Sequence, residues 1–265
     1  MTEPSSQETA LVTGASSGIG LELARVLAAG GHPLVIVAND TARLRAVAEQ
    51  LRSEYHVPVT CYARDLAQPS GADDLWADLV KANIRVDLLI NNAGVGVYGE
   101  FHDQPANAVQ RMQIVNVVAL TTLTRLALPG MIARRRGRIM NVASIVAYQP
   151  AGPRMAVYYA TKSYVLSFSR GIAAELAGSG VSVTALCPGP TISSFEQRSG
   201  AQQSRIYKRF RQMTPRAVAI AGYRGMVSGR QVVIPGLLSK IVALAGELSP
   251  PAIAIAVNRF LLKRA

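Results

Sequence analysis

Short runs of apolar and β-branched residues alternate with longer segments of helical periodicity from the start of the chain to about residue 187. Six of these runs are predicted strands, at Ala10 to Thr13, Leu34 to Ala38, Pro58 to Ala63, Val86 to Ile90, Gly137 to Val142 and Val181 to Leu186. A seventh strand is predicted at "QVVIP", Gln231 to Pro235. Several runs are continuously apolar, which is typical of strands that are covered on both faces. The alternation therefore predicts an α/β fold with βαβ units on a doubly wound parallel sheet.

The size and composition of the chain predict one domain. Its 265 residues, of which 49% are hydrophobic, are enough for one large α/β core. Within this single domain, 1–265, we expect a flexible tail at 1–8, a region at 192–235 that follows the last motif, and a helical C-terminal extension at 236–265. The opening "MTEPSSQETA" holds acids and no apolar run, so a frayed tail is expected rather than a signal peptide.

The two cysteines, Cys61 and Cys187, lie far apart and form no CxxC or histidine-spaced pattern. Neither a disulfide framework nor a metal site is therefore predicted. This cysteine usage is typical of a reducing compartment, and together with the polar N-terminus it predicts a cytoplasmic protein.

The net charge of +12 is concentrated in the C-terminal quarter of the chain. Residues 1–194 hold 16 Lys/Arg against 14 Asp/Glu, whereas residues 195–265 hold 12 against 2. Such a basic field attracts anions such as phosphorylated ligands, acidic lipid headgroups or nucleic acid, although a solvated basic face is the simpler interpretation. Nucleic acid is disfavoured, because the aromatic residues of the segment, Tyr207, Phe210 and Tyr223, belong to no reader motif.

The last 30 residues are apolar enough to raise the question of a membrane. Glu247 and the Pro250-Pro251 pair interrupt them, so no uninterrupted span of about 20 residues exists. An amphipathic helix on a membrane surface remains open, because Arg259, Lys263 and Arg264 flank apolar residues. Packing on this protein or on a partner subunit is the favoured interpretation.

A glycine-rich turn, "LVTGASSGIG", follows the first predicted strand and opens an amphipathic helix. Glycines at 14, 18 and 20 let the backbone turn tightly and let a phosphate approach the helix N-terminus, where unpaired N–H groups favour anions. The position of the turn in the first βαβ unit predicts a dinucleotide site at this end of the sheet.

A second motif, "YYATKSY", places two tyrosines just before a lysine. On a helix, Lys162 lies near Tyr158 at i+4 and near Tyr159 at i+3, so spacing alone does not decide which tyrosine does chemistry. Ser144 lies 14 residues before Tyr158, at the end of a predicted parallel strand where functional groups are exposed.

Together with "NNAG" after the fourth strand, the TGxxxGxG turn resembles the classical short-chain dehydrogenase/reductase family. The resemblance continues in order through Asn116, Ser144, the YxxxK motif of Tyr158 and Lys162, and "CPGPT", and covers roughly the first 195 residues. It implies a Rossmann-like fold and an oxidoreductase that interconverts a ketone and a secondary alcohol. It also implies that Tyr158 supplies the proton with its pKa lowered by Lys162, and that Tyr159 only packs. Ser144 would orient the carbonyl, and Asn116 would anchor a water that links Lys162 to solvent.

The same resemblance implies the residues that hold a dinucleotide. The pyrophosphate would lie on Gly14, Ser16, Ser17, Gly18, Ile19 and Gly20. The adenine would lie on Asp65 and Leu66. The nicotinamide side would be lined by Asn91, Asn92, Ala93, Gly94, Pro188, Gly189 and Thr191, and Lys162 would bond the nicotinamide ribose.

The choice between the two nicotinamide cofactors depends on the end of the second strand. NAD-using relatives place an acid there, and Ala38 stands in that position. NADP-using relatives place a basic residue at the next position, which is occupied here by the uncharged Asn39. Asp40 would bind a ribose diol, whereas Arg43 would favour a 2′-phosphate. We predict NADP(H) over NAD(H), because the acid is missing from its usual place.

The region at 192–235 would form a lid over the substrate, and it is basic. An apolar substrate with a remote anion, such as an acyl thioester on a carrier, is therefore hypothesised. The resemblance also implies a homo-oligomer, either a dimer or a tetramer. Two alternatives stay open: an NAD-dependent alcohol dehydrogenase of the same fold, and a noncatalytic nucleotide-sensing protein.

Overall fold

The computed structural model describes residues 8–206 and 212–264, and confirms the predicted α/β fold with a doubly wound sheet. The strands are β1 Ala10–Thr13, β2 Leu34–Ala38, β3 Val59–Ala63, β4 Leu88–Asn91, β5 Gly137–Val142, β6 Val181–Leu186 and β7 Val232–Val233. The helices are α1 Gly18–Ala29, α2 Thr41–Tyr55, α3 Gly71–Lys81, α4 Ala106–Gln113, α5 Leu120–Ala133, α6 Ala156–Glu175, α7 Ser194–Ser199, α8 Pro215–Val227, α9 Leu237–Leu248 and α10 Pro251–Leu261.

All seven strands are parallel, in the order β3-β2-β1-β4-β5-β6-β7. The chain first builds outward from β1 to β3 and then crosses back to place β4 on the other side of β1. This reversal between β1 and β4 opens a crevice at the carboxyl ends of the strands, which is where open α/β sheets bind ligands.

The sheet is buried on both faces, as its apolar strands require. Side chains that point to one face pack with α1, α2 and α8, and include Val12, Ile36 and Met140. Those that point to the other face pack with α3 and α5, and include Leu11 and Leu89. Each fully buried aliphatic side chain of this kind contributes about 1.5 to 3 kcal/mol of transfer free energy, so the two core layers fix the strand ends rigidly.

One helical stretch in the described residues, Ala106–Ala133, has the length and apolar composition of a membrane span. It comprises α4, a π-helical turn at Ile114–Ala119, and α5. Its buried side includes Ala119, Leu123, Ala127 and Met131, which belong to the core under the sheet. The apolar composition therefore reflects a core helix.

The structure differs from the sequence-based bounds at some positions. Glu8, assigned to the flexible tail, is buried and pairs with Arg136 and Arg138, while residues 1–7 of that tail lie outside the described residues. Pro58 does not belong to β3, since proline has no N–H to give to the ladder. The seventh strand is only two residues long, because it pairs with β6 at two positions alone.

Candidate active site

A cavity of about 560 Å³ lies at the carboxyl ends of the strands, at the crevice between β1 and β4. Its volume is in the range of small-molecule sites. Every residue predicted to hold the dinucleotide lines it, except Asn91. Of the four predicted catalytic residues, Ser144, Tyr158 and Lys162 also line it.

The glycine turn forms one end of this cavity. Gly14 and Gly18 have φ angles of +67° and +58°, a left-handed region that other residues adopt at a cost. A Cβ on Gly20 would lie 2.3 Å from the carbonyl oxygen of Gly14, so a side chain there would close the turn. The Ser17 side chain does not cap α1, which leaves the N-terminal N–H groups of this helix facing the cavity. This cradle fits the pyrophosphate of a dinucleotide.

The "NNAG" loop is tied to the glycine turn by hydrogen bonds. The Thr13 hydroxyl accepts from the backbone N–H groups of Asn92 and Ala93, each at 3.0 Å. The amide Nδ2 of Asn92 donates to the carbonyl oxygens of Thr13 and Gly14 at 2.9 and 3.2 Å. The two loops therefore form one rigid wall of the cavity.

The assignment of Asn91 to the nicotinamide side was wrong, because Asn91 does not line the cavity. Its Nδ2 atom donates to Thr124 Oγ1 and to Asn141 Oδ1, both at 3.0 Å, on the buried side of the sheet. Successive residues of a strand point to opposite faces, so Asn91 fastens the sheet to α5 while the loop after it reaches the cavity.

Asp65 lies at the predicted adenine end and is held by Arg111. The two guanidinium nitrogens donate to the two carboxylate oxygens at 2.8 Å each, and the N–H of Ala67 donates to the same carboxylate at 3.0 Å. Partial burial acts to raise the pKa of Asp65, but the hydrogen bonds from Arg111 and Ala67 and the charge of Arg111 together outweigh it, so the pKa is lowered. The carboxylate of Asp65 is therefore held in place by Arg111 and Ala67 and is ionised at neutral pH.

Two guanidinium groups at the same end have no such partner. Arg43 and Arg198 both line the cavity, and neither forms an ion pair with any carboxylate of the described ranges. Partial burial and the nearby positive charge of Arg43 lower the pKa of Arg198. Asp40, the acid nearest to Arg43 in sequence, caps α2 by accepting from the N–H of Arg43 at 3.0 Å. This part of the cavity is therefore suited to an anion.

Ser144, Tyr158 and Lys162 meet at the opposite end of the cavity. Ser144 follows β5, while Tyr158 and Lys162 project from the first turns of α6. Lys162 Nζ donates to the carbonyl oxygen of Val142 at 2.8 Å and lies 5.9 Å from the centre of the Tyr158 ring. The arrangement brings a hydroxyl donor, a phenol and an amine to one surface.

Burial dominates the proton affinities of this group. It raises the pKa of Tyr158 to about 12, against the lowering effect of a hydrogen bond with Ser144, and lowers the pKa of Lys162 to about 8. The expected lowering of the Tyr158 pKa by Lys162 is therefore not observed, and the amine bonds a backbone carbonyl instead of the phenol.

Asn116 lies in the π-helical turn and does not line the cavity. Its side chain exchanges two hydrogen bonds of 2.9 Å with the backbone of Val95, and donates to Thr161 Oγ1 at 3.1 Å. A Cβ on Gly94 would lie 3.4 Å from both Asn116 Oδ1 and Lys162 Nζ. Asn116 thus joins the "NNAG" loop, the long helix and α6 directly behind Lys162. The water that it was expected to anchor stays a prediction.

Tyr159 packs against the chain, as the sequence analysis expected. Only 4% of its surface is exposed, and it belongs to a small apolar cluster with Met155, Ala201 and Leu262. A Cβ on Gly152 would lie 2.4 Å from its ring, so Gly152 makes room for it. Burial, then the neighbouring Tyr158, raise the pKa of Tyr159.

The predicted lid region and the C-terminus add residues that no motif predicted. Phe195 of α7 packs its ring 5.2 Å from that of Tyr158, and it lines the cavity together with Ile206 and Leu262. Tyr98 donates from its hydroxyl to the carbonyl oxygen of Leu262 at 2.5 Å. The end of the cavity beside Tyr158 is therefore apolar. Tyr207 to Arg211, part of the predicted lid, lie outside the described residues.

Comparison with known proteins gives one family and several similar structures. A family model described as short chain dehydrogenase matches residues 8–204. A short chain dehydrogenase of Pseudocercospora fijiensis is 33% identical over 201 residues, which are 75% of this chain but only 63% of the fungal protein.

Two solved structures are similar over most of their length. A short-chain dehydrogenase from Sphingobium yanoikuyae in complex with NADPH has a TM-score of 0.81 and 35% identity, over 90% of this chain and 92% of that one. A bulky-bulky ketone specific alcohol dehydrogenase from Comamonas testosteroni has a TM-score of 0.75 and 33% identity, over 87% of this chain and 86% of that one.

Proposed function

Because this chain belongs to the short-chain dehydrogenase family of NAD(P)-dependent oxidoreductases, we propose that it interconverts a ketone and a secondary alcohol with NADP(H). The observation that carries the proposal is the single cavity with the glycine cradle at one end and Ser144, Tyr158 and Lys162 at the other. A nicotinamide bound there would supply or accept the hydride. The remaining chemistry is proton transfer, and the chain has the groups for it.

Tyr158 is the proton donor in this proposal. With a pKa of about 12 it is protonated at neutral pH, so it holds the proton that a developing alkoxide needs. Ser144, which is hydrogen-bonded to Tyr158, would donate to the same oxygen and orient it. Lys162, with a pKa of about 8, changes charge near neutral pH and would assist the tyrosine when protonated.

A pair of variants tests the proton donor. Tyr158→Phe removes only a hydroxyl oxygen and should lower kcat on the order of 10²- to 10⁴-fold, the usual contribution of general acid catalysis. Tyr159→Phe is the matched control, since it is adjacent, buried and outside the proposed chemistry, and it should retain turnover. Cofactor binding, followed by quenching of intrinsic fluorescence, should persist in both. Full turnover by Tyr158→Phe would refute the role.

NADP(H) is proposed over NAD(H) because Arg43 and Arg198 form a cationic pair with no carboxylate partner in the parts of the chain that the structure describes. The other two arginines of that end, Arg64 and Arg111, are paired with Asp78 and Asp65. A 2′-phosphate between Arg43 and Arg198 would supply the missing negative charge. The NADPH in the similar Sphingobium protein supports the same choice.

The cofactor proposal is tested by comparing kcat/KM for NADPH and NADH in Arg43→Ala and Arg198→Ala. A lost charged hydrogen bond of about 1.5 to 3 kcal/mol predicts a loss on the order of 10- to 100-fold for NADPH and little change for NADH. Arg224→Ala, an exposed arginine in α8 that does not line the cavity, is the control. Equal effects on both cofactors would refute the assignment, and a wild-type preference for NADH would favour the NAD-dependent alternative.

An apolar substrate is proposed from the end of the cavity beside Tyr158. Val146, Met155, Phe195, Ile206 and Leu262 line it. The similar Comamonas enzyme is named for its specificity toward bulky-bulky ketones. A panel of ketones with increasing apolar substituents should show kcat/KM rising with apolar area, and a preference for small polar ketones would contradict the proposal.

A further inference from the structure

Helix α9 has its hydrophobic side turned outward. The large aliphatic residues of α9 are exposed at helical spacing, namely Leu237, Leu238, Ile241, Leu244 and Leu248. The side that packs on the protein, against the turn Ile145–Tyr148, has small residues instead: Ser239, Ala243 and Gly246. A surface helix of a globular protein normally shows the reverse, with its apolar stripe toward the core.

Helix α10 repeats this arrangement. Ile253, Val257 and Phe260 are exposed and lie on one face, at positions i, i+4 and i+7. The inward face has Ala254 and the buried Asn258, whose Nδ2 donates to the carbonyl oxygen of Ala151 at 2.7 Å. The contact of Asn258 and the small Ala254 hold α10 to the protein by this face, so the apolar side chains of the opposite face point outward. We call the exposed apolar side chains of α9 and α10 the C-terminal apolar face.

Cations border the C-terminal apolar face. The Arg205 guanidinium lies 4.6 Å from the centre of the Phe260 ring, and Arg259, Lys263 and Arg264 are at the end of α10. Lys240 is exposed on α9, where Glu247 is the single acid. Exposed apolar area rimmed by cations is the chemistry of helices that lie in the headgroup region of anionic bilayers.

The charge argues against a second copy of the chain as the occupant. The rim has five cations, Arg205, Lys240, Arg259, Lys263 and Arg264, and Glu247 is the single acid of α9 and α10, so apposing two such faces would bring cationic rims together. An anionic lipid surface neutralises the same rim while it takes up the aliphatic side chains. The charge of the rim thus selects lipid over self-association.

The C-terminal apolar face also adjoins the apolar end of the cavity. Leu262 follows α10 directly and lines the cavity with Ile206, while Phe260, two residues earlier, is exposed on the face. We propose that α9 and α10 dock the protein on an anionic lipid surface, with the apolar end of the cavity beside the bilayer. This inference does not depend on which cofactor the protein uses.

Cosedimentation with sucrose-loaded vesicles tests the proposal without any activity readout. We expect binding to vesicles of phosphatidylcholine with 30% phosphatidylglycerol, and much weaker binding to phosphatidylcholine alone. The difference should be on the order of fivefold for each cation near the surface, and it should shrink as salt screens it. Failure of the wild-type protein to bind the phosphatidylglycerol vesicles would overturn the proposal.

Substitutions in the C-terminal apolar face test whether this face is responsible for vesicle binding. Leu244→Asp with Val257→Asp should abolish vesicle binding, because two charges would enter the apolar layer. Val80→Asp is the control, since Val80 is 62% exposed but lies on α3, outside the C-terminal apolar face. Circular dichroism should show that each variant is folded. Equal binding by the double variant and Val80→Asp would overturn the proposal.

The oligomeric state separates lipid from a second copy. Sedimentation velocity without vesicles should give the same state for the wild type and for Leu244→Asp with Val257→Asp. Dissociation of a wild-type oligomer by the double variant, with no vesicle binding by either protein, would show instead that the face joins copies of this chain and would overturn the lipid proposal.

Discussion

The buried amine of Lys162 makes the stability of the protein depend on pH in a direction that can be measured. Lys162 is 5% exposed, and among the described residues it has no carboxylate partner. Burial lowers its pKa to about 8, whereas a lysine of the unfolded chain titrates near ~10.4. Between these two values the unfolded chain binds more protons than the folded protein.

The sign and the size of the effect follow from this difference. Stability rises with pH wherever the unfolded state binds more protons, so Lys162 should add to the unfolding free energy as the pH is raised from about 8 to 10. Integration over that window gives about 2 kcal/mol. Below pH 8 both states are largely protonated, so the contribution flattens.

Urea unfolding of the wild type and Lys162→Met at pH 7, 8, 9 and 10 isolates this contribution. Cys187 acts in the opposite sense, because burial raises its pKa to about 12 and the folded state then keeps a proton that the unfolded chain loses. Both proteins contain Cys187, and its burial is the main cause of its raised pKa, so the difference between their unfolding free energies removes most of its effect. We expect that difference to move by about 2 kcal/mol in favour of the wild type. A difference that is constant across the pH range would refute the reasoning.

Further substitutions follow from the packing. Gly152→Ala should cost about 1 to 3 kcal/mol in urea unfolding, because its Cβ would meet the Tyr159 ring, whereas Gly171→Ala, with open space around it in α6, should gain about 0.5 to 1 kcal/mol. The opposite order would contradict this account. Asn116→Leu should cost roughly 2 to 4 kcal/mol, because it leaves the two partly buried backbone groups of Val95 without their side-chain partner. Cys187 should resist iodoacetamide in the native protein and react in urea, and rapid native alkylation would argue against its burial.

The strands were predictable because a parallel sheet covered on both faces requires continuous apolar runs. The predicted and observed bounds of β1, β2, β5 and β6 agree residue for residue. The pattern cannot show where pairing stops. At β7 the apolar run continues beyond the two residues that find partners on β6.

In the candidate site, too, the residues that follow strands were predictable and those placed by tertiary packing were not. Ser144 and the glycine turn follow strands, so the parallel sheet brings their ends to one crevice regardless of distance in sequence. Phe195 and Arg198 reach the cavity from α7 and Leu262 reaches it from the C-terminus, and no short motif marks this packing. The raised pKa of Tyr158 was also beyond the sequence, since it follows from the burial of the phenol, while the amine of Lys162 bonds the carbonyl of Val142.

The C-terminal helices show what periodicity leaves undetermined. The spacing of Leu237, Ile241, Leu244 and Leu248 predicts an apolar stripe on a helix, and the default interpretation places such a stripe against the core. The direction depends on the opposite side of the helix, where Ser239, Ala243 and Gly246 permit the close approach that large side chains would prevent. The small residues of α9 therefore pack against the turn Ile145–Tyr148. The stripe, which the sequence analysis expected to pack on this protein or on a partner subunit, is therefore left exposed on this chain.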